Sequence, residues 1–99
     1  MKYRGRTEIV GNILDSANGG ATKTKIMYKA FLSYGQLKEY LSLLIENNLI
    51  EYLDGTRTFK TTEKGLNFLK MHYEMAELLQ TISVLPLYFI LIIQLIYLF

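Results

Sequence analysis

After Glu77 this 99-residue chain has no Asp, Glu, Lys or Arg for 22 residues. Thirteen of the eighteen residues in 82–99 are Leu, Ile, Val or Phe, interrupted mainly by Ser83, Pro86 and Gln94. As a helix, such a run is about 33 Å long, enough for the roughly 30 Å of bilayer hydrocarbon. Residues 87–93 are consecutively apolar, so every face of the helix is apolar. A soluble coiled coil is apolar mainly at two positions in seven. A helix apolar all round calls for lipid or a large core, and a chain this short builds only one small core. Two readings follow: a transmembrane helix, or an oligomerisation helix buried among several copies. In either, Leu85, Leu87, Phe89, Ile92 and Ile96 supply contacts. All eleven Lys and Arg precede the run, so a span places the N-terminal part in the cytoplasm.

The remainder of the chain is chemically different. Residues 1–29 hold six basic and two acidic side chains, whereas 30–70 are balanced. There is no cysteine, which excludes disulfides and Cys-based zinc sites. The N-terminus is basic without a following apolar stretch, so no secretory signal is expected. The division expected is a domain in 1–70, a helical connection in 71–81 and the hydrophobic helix in 82–99.

Local patterns outline the domain. Ile9, Val10, Ile13, Leu14 and Ala17 share one face of a helix over 7–17, with Thr7 as cap and Gly19-Gly20 as stop. A short helix over 22–30 follows, with Ile26, Met27 and Ala30 apolar. Ser33 and Gln36 form a capping box for a third helix with an apolar stripe of Tyr34, Leu37, Leu41, Leu44 and Ile45. A strand over 49–53, the hairpin signal Asp54-Gly55 and a return strand over 56–61 follow. Thr62 caps a fourth helix. The fold class expected is α+β, mainly helical with one β-hairpin: a winged helix-turn-helix followed by a C-terminal hydrophobic helix.

Several stretches resemble an archaeal winged helix-turn-helix family. They are Arg4-Gly5-Arg6-Thr7-Glu8-Ile9-Val10, the block from Asn18 through Ala30 that includes Lys23-Thr24-Lys25-Ile26-Met27-Tyr28-Lys29, Leu32-Ser33-Tyr34, and Thr61-Thr62-Glu63-Lys64-Gly65-Leu66. The family includes the small chromatin proteins of Sulfolobus-type archaea and the DNA-binding domain of membrane-bound archaellum regulators. The resemblance covers about residues 4–70 and implies double-stranded DNA binding, often by dimers. In the soluble members a long C-terminal helix forms an antiparallel coiled coil. In the regulators transmembrane helices follow the winged helix. This chain departs from the first in its apolar tail, and from the second in having room for a single span.

Binding of DNA starts with neutralised phosphates. Lys2, Arg4 and Arg6 before the first helix, Lys23, Lys25 and Lys29 on the second, and Arg57 and Lys60 on the wing are the candidate phosphate ligands. Base readout falls to the start of helix three: Ser33, Gly35, Gln36 and Glu39, with Lys38 at the edge. Ser33 and Gln36 have a competing use as cap partners. Tyr28, Tyr34, Tyr40 and Tyr52 are expected to close a small core. His72, the sole histidine, is expected on the surface. No nucleophile–base pair, phosphate loop or metal-ligand cluster can be assembled, so no enzyme, cofactor, metal or small-molecule substrate is expected.

The expected partners are double-stranded DNA, the membrane and a second copy of the chain. The expected function is that of a membrane-tethered transcription regulator. A soluble dimeric nucleoid protein and a protein-binding winged helix on a small membrane protein are the alternatives.

Overall fold

The computed structural model describes residues 4–98, without the side chains of 82–84. The element order is α1 (Arg6–Ser16), α2 (Lys23–Lys29), α3 (Tyr34–Glu46), β1 (Ile50–Leu53), β2 (Thr58–Thr61) and α4 (Glu63–Leu98). This is the expected α+β class: three helices, a hairpin and a long C-terminal helix.

The three short helices bury the stripes that their spacing indicated. Ile13, Leu14, Ile26, Leu37, Leu44 and Ile50 are fully enclosed, and Ala17 and Ala30 fill the gaps between helices. Leu69 of α4 and Phe59 of β2 close the same core. Tyr34 and Ile45 depart from expectation: they lie at the edge of their stripe and are 58% and 40% exposed. The tyrosines depart too. Tyr40 packs against the core, but Tyr28, Tyr34 and Tyr52 are exposed.

Helix ends follow local chemistry with one exception. Thr22 caps α2 through Lys25 N, and Ser33 and Gln36 close both halves of the capping box on α3. Thr62 caps α4 by accepting from Gly65 N at 3.1 Å. Thr7 does not cap α1. Gly5 is the N-cap, without a side-chain bond, and its carbonyl accepts from Ile9 N. The cap lies two residues before Thr7, so Thr7 is already inside the helix and in helical conformation. A cap residue must be extended instead.

β1 and β2 pair antiparallel, with Ile50 opposite Thr61 and Leu53 opposite Thr58. The turn is longer than the two-residue Asp54-Gly55 form. It takes residues 54–57, with Arg57 rather than Gly55 at positive φ (53°). Four-residue loops of this kind carry the left-handed residue late. Ala21 forms an isolated bridge to the sheet by exchanging two backbone bonds with Phe59. Buried Thr61 donates to the Leu14 carbonyl at 2.6 Å, tying the wing to α1.

α4 begins against the head and then leaves it. A Cβ on Gly65 would lie 2.6 Å from Thr61 Cγ2 and overlap the Leu49 carbonyl oxygen. The glycine that weakens this helix locally is what lets its first turn approach the wing. Further along, His72 is half-buried over Gly11 of α1, where a Cβ would meet its ring at 3.0 Å. His72 is thus a packing residue, not the surface residue expected. Tyr73 donates to Asp15 Oδ1 at 3.2 Å beside it. From Glu74 onward the described side chains are exposed, and the helix runs unbroken through Pro86.

Candidate nucleic-acid interface

α3 is held by its buried face and presents the opposite one to solvent. Gly35, Lys38, Glu39, Ser42 and Glu46 are exposed there, giving one cation against two carboxylates. Such a face is poor at attracting phosphate. Ser33 and Gln36 are exposed but bonded to each other: the Gln36 backbone N–H donates to Ser33 Oγ at 3.2 Å, and the Ser33 backbone N–H donates to Gln36 Oε1 at 3.1 Å. Their side chains are first of all a helix cap.

The positive charge comes from the flanks. Lys23 Nζ sits 5.4 Å from the centroid of the Tyr34 ring, a cation–π contact joining the first residues of α2 and α3. Lys23 also lines a cleft of about 350 Å³ with Ile45, Tyr52, Arg57 and Phe59. The fold therefore brings Lys23 and Arg57 to one edge of the head, between α3 and the wing. The Tyr52 and Phe59 rings, 4.9 Å apart, form the floor of that edge. Lys25 and Lys29 are exposed on a different side of α2, roughly 40° apart at 100° per residue and away from Lys23. Lys60 is exposed on β2 directly opposite Glu51, where the two charges offset each other.

The two N-terminal arginines do not join that edge. Arg4 donates from Nη1 to the Ala30 carbonyl at 2.6 Å and from Nη2 to the Phe31 carbonyl at 2.8 Å. Its guanidinium fastens the turn between α2 and α3 and complements the negative end of α2. Phe31, in that turn, has φ 53° and is 81% exposed. Arg6 lines a cleft of about 560 Å³ with Glu39, Tyr40, Ser42, Leu43 and Glu46, so it faces the carboxylates of α3. Lys2 lies outside the described residues. Among the described residues, no group of three or more His, Cys, Asp or Glu comes together to hold a metal ion.

Sequence reasoning missed the Arg4 bonds and the Lys23–Tyr34 contact. The helix C-terminus at Ala30 is a general signal for a nearby cation, but nothing local names Arg4 as its source. Lys23 and Tyr34 open two successive helices, and only the turn between those helices brings them together.

Three helices, a two-stranded wing and an exposed third helix define a winged helix-turn-helix protein. The profile of the winged helix-turn-helix family matches residues 3–80, and the chain belongs to this family. Its fold is similar to the crystal structure of Sso10a-2, a DNA-binding protein from Sulfolobus solfataricus. The TM-score is 0.71 at 22% identity, over 84% of this chain and 90% of that one. A comparison with curated proteins finds no match.

Proposed function

We propose that this chain binds double-stranded DNA with its winged helix-turn-helix head and regulates transcription while tethered to the membrane by the apolar part of α4. α3 enters the major groove. Lys23 and Arg57 grip backbone phosphates on the wing side, and Lys25 and Lys29 hold phosphates along α2. Lys38 is the cation of α3 closest in role to a base reader, with Gly35 allowing close approach. Ser33 and Gln36 orient α3 and meet the groove with the polar capacity their cap leaves. Arg6 offsets Glu39 and Glu46. Arg4 supports the α2–α3 turn rather than touching DNA.

The observation that carries this function is the pairing of Lys23 and Arg57 across one cleft beside an exposed third helix in a winged helix-turn-helix head. Because α3 itself is not basic, affinity rests on phosphates and sequence discrimination is weak. The membrane part rests on α4, which among the described residues is the one helix long and apolar enough to cross a bilayer by length and composition. Its best 18-residue window has a mean hydropathy of 2.2. The head then lies in the cytoplasm, with access to DNA, and two copies acting together place two third helices on neighbouring half-sites.

The second reading is a soluble dimeric DNA-binding protein using α4, whose described side chains beyond Tyr73 are exposed, as its dimer helix. Alkaline carbonate extraction of cell membranes separates the two. Retention in the membrane pellet supports the tether, whereas release as a soluble dimer supports the second reading. Gel shift of the detergent-solubilised full chain on duplex DNA tests the binding itself, and absence of any shift at low salt refutes it.

A further inference from the structure

The turn between α2 and α3 is built on a residue that its backbone does not favour. α2 closes with two bonds: Leu32 N donates to the Met27 carbonyl at 3.1 Å, and Phe31 N to the Tyr28 carbonyl at 3.4 Å. This closure puts Phe31 in the left-handed region, at φ 53°. α3 closes with the same two bonds, from Leu49 N to the Leu44 carbonyl and from Asn48 N to the Ile45 carbonyl. There the left-handed residue is Asn48, at φ 61°. Gly and Asn are the ordinary occupants of such a position, and a bulky side chain there is strained. Phe31 gains nothing from the core in return, because it is 81% exposed. Tyr28, three residues earlier, is exposed to the same degree.

The surroundings of these two rings are cationic. Between Asp15 and Glu39 the chain has Lys23, Lys25, Lys29 and Lys38 and no Asp or Glu. At 100° per residue, Lys25, Tyr28 and Lys29 fall within an arc of about 100° on α2, and all three are exposed. Lys23 lies outside this arc, over the Tyr34 ring, so one face of Tyr34 already has a cation. The Phe31 carbonyl accepts from Arg4 Nη2 at 2.8 Å, which holds the turn that carries the ring.

We propose that Lys25, Tyr28, Lys29 and Phe31 form a site for an unpaired DNA strand, in which the lysines hold phosphates and the two rings stack on bases. The site rests on the reading of the head as DNA-binding and extends it. Charge selects a polyanion, since no carboxylate of the same stretch offsets the lysines. The rings select unpaired bases. Inside a duplex each base face is covered by its neighbours, and a protein is offered base edges. An unstacked base presents its faces, and stacking on an aromatic ring tolerates any sequence. Exposed aromatics beside cations are the means by which proteins follow a single strand. Lys25 and Lys29 hold phosphates whether the strand beside them is paired or open, and the rings act only when it is open. With the duplex against α3, Lys23 and Arg57, the strand leaves along the outer face of α2, so the head suits a junction where a duplex opens. The Arg4 bonds keep the turn ordered in advance, which lowers the cost of binding.

Fluorescence anisotropy of the full chain in bilayer discs tests the site with three labelled probes. They are a blunt duplex, the same duplex with an unpaired thymidine tail, and the same duplex with an abasic tail of equal length. The two tails carry the same phosphates and differ only in their bases. The unaltered chain should bind the thymidine tail about tenfold more tightly than the abasic tail, within the range that one stacked base contributes. In Tyr28→Ala/Phe31→Asn the two tails should bind alike, with affinity for the blunt duplex unchanged. Asn is the residue that α3 carries at the matching position, so this variant keeps the turn. Equal affinity of the unaltered chain for the two tails overturns the strand site and leaves the rings to a protein partner. A thymidine preference that the double variant retains overturns the assignment to these rings. Blunt-duplex binding with equal tails refutes the strand site alone. A thymidine preference without blunt-duplex binding supports the strand site and refutes the duplex reading, and binding to none of the probes refutes both.

Discussion

Removing Lys23 and Arg57 together should change how DNA affinity depends on salt, more than it changes the fold. Both side chains line one cleft beside α3. Neither is used in a helix cap or core contact, although Lys23 lies over the Tyr34 ring. With Lys25 and Lys29 they make four candidate phosphate ligands. Each phosphate neutralised adds about −0.9 to the slope of log affinity against log salt, so four give about −3.6. Between about 50 and about 200 mM salt, the affinity of the unaltered chain then falls roughly 150-fold. The Lys23→Ala/Arg57→Ala variant should show a slope of about −1.8 and a fall of roughly tenfold. Arg4→Ala is the control. Its guanidinium is bonded to the Ala30 and Phe31 carbonyls, so the slope should stay unchanged while stability drops by about 1–3 kcal/mol. Fluorescence anisotropy of labelled duplex titrated with the full chain in bilayer discs, at four or more salt concentrations, gives the slopes. An unchanged slope in the double variant refutes the phosphate assignment. A slope lowered as much by Arg4→Ala refutes the division between grip and scaffold.

Four further outcomes follow from the geometry of the head. Gly65→Ala should cost about 1–3 kcal/mol in chemical unfolding, because the new methyl meets Thr61 Cγ2 and a backbone carbonyl. Gly35→Ala, where nothing lies within 4 Å, should instead gain about 1 kcal/mol. Phe31→Gly should stabilise the head by about 1 kcal/mol in the same assay, since it relieves a left-handed non-glycine residue at little cost in burial. A loss of stability would show that the ring is held by a contact. Burial first, then the charge of Asp15 and its hydrogen bond, raise the Tyr73 hydroxyl above its ordinary value of 10.0. The folded state therefore holds that proton more tightly than the unfolded chain. The associated stability is whole below pH 10 and is lost as pH rises through the elevated value, so unfolding midpoints measured from pH 9 to 11 should fall less in Tyr73→Phe.

Features that depend on neighbours in sequence were legible before the fold was known. The Ser33–Gln36 capping box, the Thr62 cap and the buried faces of α1 to α3 arise from contacts three or four residues apart. Features that depend on distant partners were not. Arg4 reads as a free cation until Ala30 and Phe31 are brought to it across 26 and 27 positions. Gly65 reads as a helix weakness until the Leu49 carbonyl lies against it, and His72 reads as a surface residue until Gly11 makes room for its ring. Thr7 was misplaced because a Thr before an apolar stripe marks a helix start only to within a residue or two. The wing turn was misread for a related reason: Asp54-Gly55 favours a tight turn, but the pairing of Leu53 with Thr58 leaves four residues to span. At the candidate site, local pattern assigned each lysine and arginine to its helix or to the wing, yet only the fold showed that Lys23 and Arg57 share an edge while Lys25 and Lys29 face elsewhere.

Vesicle flotation with labelled duplex tests most directly whether one chain holds DNA at a bilayer. Purified full-length chain is reconstituted into liposomes, mixed with DNA at low salt and centrifuged through a density gradient. The chain and the DNA should rise together with the lipid, and raising the salt should release the DNA while the chain stays with the vesicles. Chain left at the bottom of the gradient, or vesicles that carry the chain and rise without DNA at low salt, would contradict a membrane-held DNA-binding protein.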